Sequence, residues 1–277
     1  MGETTTLPSM RIGFQGEGRS YSHRAVTQLF PDADHVGLAS FASAFHSLRD
    51  ADVDRLVLPI ENSTTGSVLP VLDRLTKSRA RVIGEHLVEV RHALIGVPGA
   101  TLQQIASVHS HPQALSQADY KIEQAGWLPI PTHDTAGAVR LLAEHGDPSE
   151  AALAPPETAQ EHGLVVLASD FMDRDHNTTR FVILALEPVE IPDDANKTSF
   201  VFATAHTPGA LALALTELGL RGANLTRLES RPSHEAWKYR FFADMVHQPG
   251  SDGFKSILEP HPATMADVQI LGTYPAA

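Results

Sequence analysis

Four short segments gather the residue types that could hold an anion and help a proton move. Asn62-Ser63-Thr64-Thr65-Gly66-Ser67, reached through the apolar run Leu56 to Ile60 and Glu61, crowds hydroxyls and an amide where a strand pattern gives way to a helix pattern. Backbone N–H groups at a helix start lack intrahelical partners and the dipole is positive there, so the segment predicts a seat for a carboxylate or phosphate. Plain helix capping uses the same residue types and is the preferred reading of this segment taken alone, so the case for a ligand rests on recurrence elsewhere. Gln15 to Ser22, Ser110-His111-Pro112-Gln113 and His176-Asn177-Thr178-Thr179-Arg180-Phe181 repeat the theme of small polar residues at a strand end. In open α/β sheets such loops converge outside the carboxyl ends of the strands. Three helix starts and one arginine, Arg180, suit a small polyanionic ligand.

The elements that must position these loops follow from pattern and punctuation. Strand and helix patterns alternate as Arg11 to Phe14 then Ser22 to Phe30, Leu56 to Ile60 then Val68 to Leu75, and Ser107 to His109 then Gln113 to Ala125. This rhythm predicts an α/β fold with a largely parallel sheet. Pro112 stands where a helix start tolerates a missing N–H, and Asp134-Thr135 cap the stretch Ala136 to Glu144. Pro188 to Lys197 breaks the rhythm, which divides the chain into domains at 1–190 and 196–277. Beyond the break the order is strand 198–205, helix 208–218, strands 225–230 and 237–246, a short helix 254–258 that Pro260 and Pro262 cut off, and strand 268–271. That βαββαβ order predicts a ferredoxin-like unit.

Composition narrows the function classes. The net charge of −12 is carried entirely by residues 1–194, since residues 195–277 hold seven basic and seven acidic side chains. With no basic excess in either part, nucleic acid is an unsuitable partner. The cluster Arg74, Lys77, Arg79, Arg81 sits at a predicted helix end, where cations complement the dipole. No apolar run reaches the length of a membrane span, and the polar stretch Met1 to Met10 has no signal-peptide core, so a cytoplasmic protein without membrane contact is expected. Absence of cysteine removes disulfides, thiolate metal sites and a cysteine nucleophile. His109 and His111 alternate on one strand face as possible metal ligands, but no third ligand stands at a telling spacing and no metal is expected. Ser22-His23 and His133-Asp134 have no Gly-x-Ser-x-Gly elbow to make them a hydrolase triad.

The phrases Pro59-Ile60-Glu61-Asn62-Ser63, Ser110-His111-Pro112-Gln113-Ala114-Leu115, Asn177-Thr178-Thr179-Arg180-Phe181 and Glu229-Ser230-Arg231-Pro232 resemble the signature segments of monofunctional prephenate dehydratases. The resemblance runs in order along nearly the whole chain and ends in Leu271-Gly272-Thr273-Tyr274-Pro275. It implies a catalytic domain with the two lobes of type II periplasmic binding proteins, followed by a ferredoxin-like ACT regulatory domain. It also implies conversion of prephenate to phenylpyruvate without a cofactor. Carried over residue by residue, Thr179, Asn62 and Gln113 become the catalytic group, with Thr179 donating to the departing hydroxyl. Ser63, Thr65, Ser110, Arg180 and Phe181 become substrate contacts. Gly209, Ala210, Leu211, Asn224, Glu229, Ser230, Arg231 and Pro232 become the site for the effector phenylalanine, in a homodimer or homotetramer.

The sequence departs from the family pattern at two places. Arg19 stands where the family usually has glycine, which puts the register of the Gly16 to Ser22 loop in question, and Pro155-Pro156 imply a rearranged helix start. Two other readings remain open. The same chemistry could act on arogenate, or the chain could be a non-catalytic amino-acid sensor that needs anion-binding loops but has no use for Thr179. If the two domains fold independently, a chain cut near residue 194 keeps activity and loses its response to phenylalanine.

Overall fold

The computed structural model describes residues 9–174, 176–233 and 237–277, so the expectation for the leader falls mostly outside the described residues. The chain packs as two units, residues 1–88 with 179–277 and residues 89–178. The first begins with β1 (Arg11–Gln15), α1 (Tyr21–Leu29), β2 (Asp34–Leu38), α2 (Phe41–Arg49) and β3 (Arg55–Asn62). A two-residue β4 (Gly66–Ser67), α3 (Leu69–Leu75) and β5 (Ala80–Glu89) follow. β1 pairs in parallel with β2 and β3, and this part of the sheet follows the expected rhythm.

The second unit holds β6 (Ala93–Gly96), β7 (Ser107–Ser110), α4 (Pro112–Ser116), α5 (Asp119–Ala125) and β8 (Leu128–Pro131). After α6 (Thr135–His145) come β9 (Glu150–Ala154), α7 (Glu157–Glu161) and β10 (Val165–Ala168). Its sheet runs β10-β6-β9-β7-β8, parallel around β7 and antiparallel around β6. Asp134 caps α6 through the Gly137 N–H at 2.6 Å, as its position predicted. The helix expected over Gln113 to Ala125 is two helices, and α5 starts beside Asp173, whose carboxylate accepts from the Tyr120 and Lys121 N–H groups. The paired prolines leave a short α7 with Pro156 at its cap.

The chain returns to the first unit as β11 (Thr178–Leu186), which pairs antiparallel with β3 and completes the order β2-β1-β3-β11-β5. Both sheets are therefore mixed, not largely parallel. Strand alternation is local, whereas the direction of a returning strand depends on pairing across more than a hundred residues. The remainder is β12 (Lys197–Thr204), α8 (Ala210–Leu220), β13 (Asn224–Pro232), β14 (Tyr239–Val246), α9 (Ser251–Leu258) and β15 (Met265–Tyr274). Its antiparallel order β13-β14-β12-β15 is the expected ferredoxin-like arrangement.

The sequence boundary at 188–197 is a change of sheet, not a gap in packing. One core joins Leu56, Leu72, Leu75, Val82 and Leu184 to Val201, Phe242, Leu271 and Tyr274. β15 also approaches β5 so closely that a Cβ on Gly272 would lie 2.1 Å from the Val82 carbonyl oxygen. Backbone cannot yield as a flexible side chain does, so Gly272→Ala is expected to cost about 2 kcal/mol or more. A urea midpoint equal to that of the wild type would contradict this close approach.

Candidate functional site

β3 and β11 end side by side, with Asn62 opposite Thr179 and Glu61 opposite Arg180. A bulge follows, because Phe181 pairs with Pro59 and leaves Ile60 as the extra residue. A bulge is one of the few sheet positions that tolerate proline and tends to re-aim the side chains beside it. Asn62 is buried, and its Oδ1 accepts from the Thr64 and Thr65 N–H groups at 3.0 and 3.1 Å and from the Thr64 hydroxyl at 2.6 Å. With Oδ1 committed to these donors, the amide has one sensible orientation, and Nδ2 donates to Thr179 Oγ1 at 2.9 Å. Thr179 Oγ1 is thereby an acceptor toward Asn62, and its own proton can be aimed at a third group.

This geometry corrects the expected helix-end anion seat. Ser63 to Thr65 form the turn between β3 and β4, and α3 starts only at Leu69, after Val68, with no side-chain cap hydrogen bond among the described residues. Gly66 at φ 81° closes that turn, a conformation that side chains resist. Ser63 and Thr65 are exposed on it. At α1, Ser20 accepts from the His23 N–H, so that helix start is capped by its own residue. Arg19 takes φ 71°, keeping the glycine-like conformation at that position, while its N–H donates to His23 Nδ1 at 2.9 Å.

Three expected substrate contacts are engaged elsewhere. Phe181 is 1% exposed, within a core of Ile12, Phe14, Val57 and Val88. The Ser110 hydroxyl, fully buried, donates to the Leu153 carbonyl at 2.5 Å and so ties β7 to β9. The Arg180 guanidinium meets Glu61 at 3.0 Å, Glu85 at 3.1 Å and Asp244 at 2.6 Å. Burial opposes the charge on Arg180, but Asp244 and the other anions hold it protonated. Strand alternation explains the arginine: Arg180 points to the face opposite Thr179, where the C-terminal sheet packs.

In the second unit, Gln113 is exposed in the first turn of α4, whose N-terminus is capped by His111 Nδ1. Asn177 is buried and donates to Gln117 Oε1 at 2.8 Å, while its carbonyl accepts from the Val90 N–H. His109 faces Ser107 and Glu150, at 3.2 and 3.8 Å, which accounts for its place on the strand. His133 lies 3.1 Å from the Asp134 carboxylate that caps α6.

On the C-terminal unit, Gly209 takes φ 82° at the start of α8, followed by Ala210 and Leu211 in its first turn. Exposure alternates along β13, so the expected effector residues divide between two faces. Asn224, Ser230 and Pro232 lie on the exposed face. Glu229 and Arg231 lie on the other, where Glu229 accepts from Ser67 Oγ at 2.5 Å and Arg231 approaches Asp73 at 3.8 Å. Glu85, Lys197, Arg227 and Asp244, which meet at this site, do not stand out in the sequence reading. The available signal was a charge in the middle of an apolar strand, as with Asp244 between Ala243 and Met245.

Residues 12–189 match the family model described as prephenate dehydratase. The chain is 32% identical to a bifunctional N-acyl-homoserine lactone acylase/prephenate dehydratase of Komagataeibacter europaeus, covering 96% of each protein. It is 33% identical to arogenate dehydratase 2 of Petunia hybrida, covering 96% of this chain and 72% of the relative. A crystal structure of prephenate dehydratase from Arthrobacter aurescens in complex with L-Phe is 29% identical, with a TM-score of 0.83 over 96% of this chain and 90% of that one.

Proposed function

We propose a reaction for this site on the premise that the chain belongs to the prephenate dehydratase family: decarboxylating dehydration of prephenate to phenylpyruvate, with Thr179 and Asn62 at its centre. The single observation that carries this reading is the Asn62–Thr179 hydrogen bond, in which a fixed amide makes the threonine oxygen an acceptor. The electron pair of the breaking ring–carboxylate bond enters the ring as carbon dioxide leaves. The ring expels its hydroxyl, which takes up one proton and departs as water. Aromatisation drives both cleavages, so the protein's work is to orient the ring and to favour departure of hydroxide. A threonine hydroxyl is too weak an acid to ionise fully at neutral pH; Thr179 shares its proton with the leaving oxygen in the transition state. Ser63 and Thr65, exposed on the turn that Asn62 organises, supply donors for a substrate carboxylate. Arg180 supports this arrangement from behind the strand, because its guanidinium is already bound by carboxylates of the protein.

L-Phenylalanine acts as a feedback inhibitor through Gly209 to Leu211, Asn224 and Ser230, in a cytoplasmic homodimer or homotetramer. The exposed face of β13 and the open backbone at Gly209 support this assignment. Offering the purified protein prephenate and arogenate at equal concentration, and identifying the product by chromatography, tests the substrate. Phenylpyruvate from prephenate, reduced by phenylalanine in the wild type and not in Ser230→Ala, is the expected result. Phenylalanine formed from arogenate as the dominant product would transfer the assignment to that substrate.

A further inference from the structure

We infer that the C-terminal sheet is part of the catalytic apparatus, with Arg227 and Asp244 as positioning residues that hold the Asn62 turn and Thr179 from the opposite face of β3 and β11. The inference rests on the reaction proposed above. Each half of the catalytic pair has a neighbour whose side chain points away from it and into this sheet. Next to Thr179, Arg180 is held by Asp244 at 2.6 Å, and Asp244 also accepts from Ser199 Oγ at 2.6 Å. Tyr274, fully buried, lies 2.7 Å from Ser199 Oγ; since Ser199 donates to Asp244, the phenol donates to Ser199. Next to Asn62, Glu61 is held by Arg180 at 3.0 Å and flanked by Arg227 at 3.9 Å.

Arg227 also donates to Ser67 Oγ at 2.6 Å and to Glu229 at 2.7 Å, and Ser67 closes the triangle by donating to Glu229. The turn that carries Asn62, Ser63 and Thr65 is therefore pinned at both ends, at Glu61 and at Ser67, by one arginine of β13. Burial alone would push the Asp244 carboxyl up; the Arg180 and Arg227 charges, with the Ser199 and Arg180 donors, hold it below the usual carboxylate range. Lys197 completes the charge balance by binding Glu85 at 2.8 Å. Because Arg227 and Glu229 share β13 with Ser230, a ligand that shifts this strand reaches the catalytic turn through two side chains.

The test is Arg227→Gln, with Ser67→Ala as the milder variant should the first fail to fold, each made alone and in a Thr179→Ala background. Displacing a reacting group by about an ångström costs on the order of a hundredfold, so a ten- to hundredfold fall in kcat is expected, with KM changed far less. If the arginine acts through Thr179, it has little further effect once that hydroxyl is gone; equal factors in both backgrounds would mean a merely structural role and overturn the inference. Amide exchange of residues 60–67 is followed in parallel, in protein without substrate. Faster exchange in Arg227→Gln or Ser67→Ala supports the pinning even if the wild type turns over no prephenate, in which case the proposed reaction alone fails. Unchanged exchange overturns the inference whatever the turnover.

Discussion

Thr179→Ala is expected to lower kcat for prephenate by about a hundred- to a thousandfold, the effect of deleting one well-placed donor that acts on charge developing in the transition state. Substrate binding should change little, because the hydroxyl contributes mainly as the carbon–oxygen bond breaks. The fold should survive, since the side chain is half-buried and, among the described residues, its hydrogen bond is with Asn62 Nδ2. Thr179→Ser, which keeps the hydroxyl, should recover most of the lost rate. Steady-state kinetics beside a thermal melt checks each part. A rise in KM matching the fall in kcat/KM would assign Thr179 to binding, and unchanged kcat would remove it from the mechanism.

Cutting the chain after residue 194 is expected to abolish activity and cooperative folding. That reverses the expectation drawn from the sequence boundary, under which the first half stays active and only loses its effector response. The reason is the shared core: Val201 and Tyr274 are fully buried, and Phe242 and Leu271 nearly so, against Leu56, Leu72, Leu75 and Val82. Burial of one large apolar side chain stabilises by about 1.5–3 kcal/mol, so loss of four approaches the whole net stability of a typical domain, roughly 5–15 kcal/mol. The cut also removes Asp244 and Lys197 from the ion pairs around Arg180 and Glu85. Expression of residues 1–194 should give aggregated protein or a species that binds hydrophobic dye. A soluble fragment with a sharp unfolding transition and prephenate turnover would show that the shared core is dispensable.

What could be read from the sequence was mostly local chemistry. Asp134 before a helix pattern, Pro112 at a helix start, and Pro260 and Pro262 beyond a helix end each act through one or two neighbouring residues, and each stands where its pattern predicted. The βαββαβ order was legible for the same reason. The antiparallel return of β11 and the mixed second sheet were not, because pairing between distant segments leaves little trace in local periodicity. At the site, the pairing of Asn62 with Thr179 joins two of the signature segments, but the helix-end reading of Ser63 to Ser67 overlooked Gly66, whose positive φ makes a hairpin turn. Arg180, Phe181 and Ser110 share those segments for structural reasons. Alternation turns Arg180 away from Thr179, the core takes Phe181, and Ser110 spends its hydroxyl on a neighbouring strand. Short segments read as signatures do not distinguish residues that touch a ligand from residues that hold those that do.

The most direct measurement is the rate of phenylpyruvate formation from prephenate by the purified wild-type protein, read from the product's ultraviolet absorbance in base together with the carbon dioxide released. Sustained turnover with the two products formed one to one, together with near-complete loss of both in Thr179→Ala, is the expected result. A folded wild-type protein that forms neither product, or a Thr179→Ala variant that forms both at the wild-type rate, would contradict it.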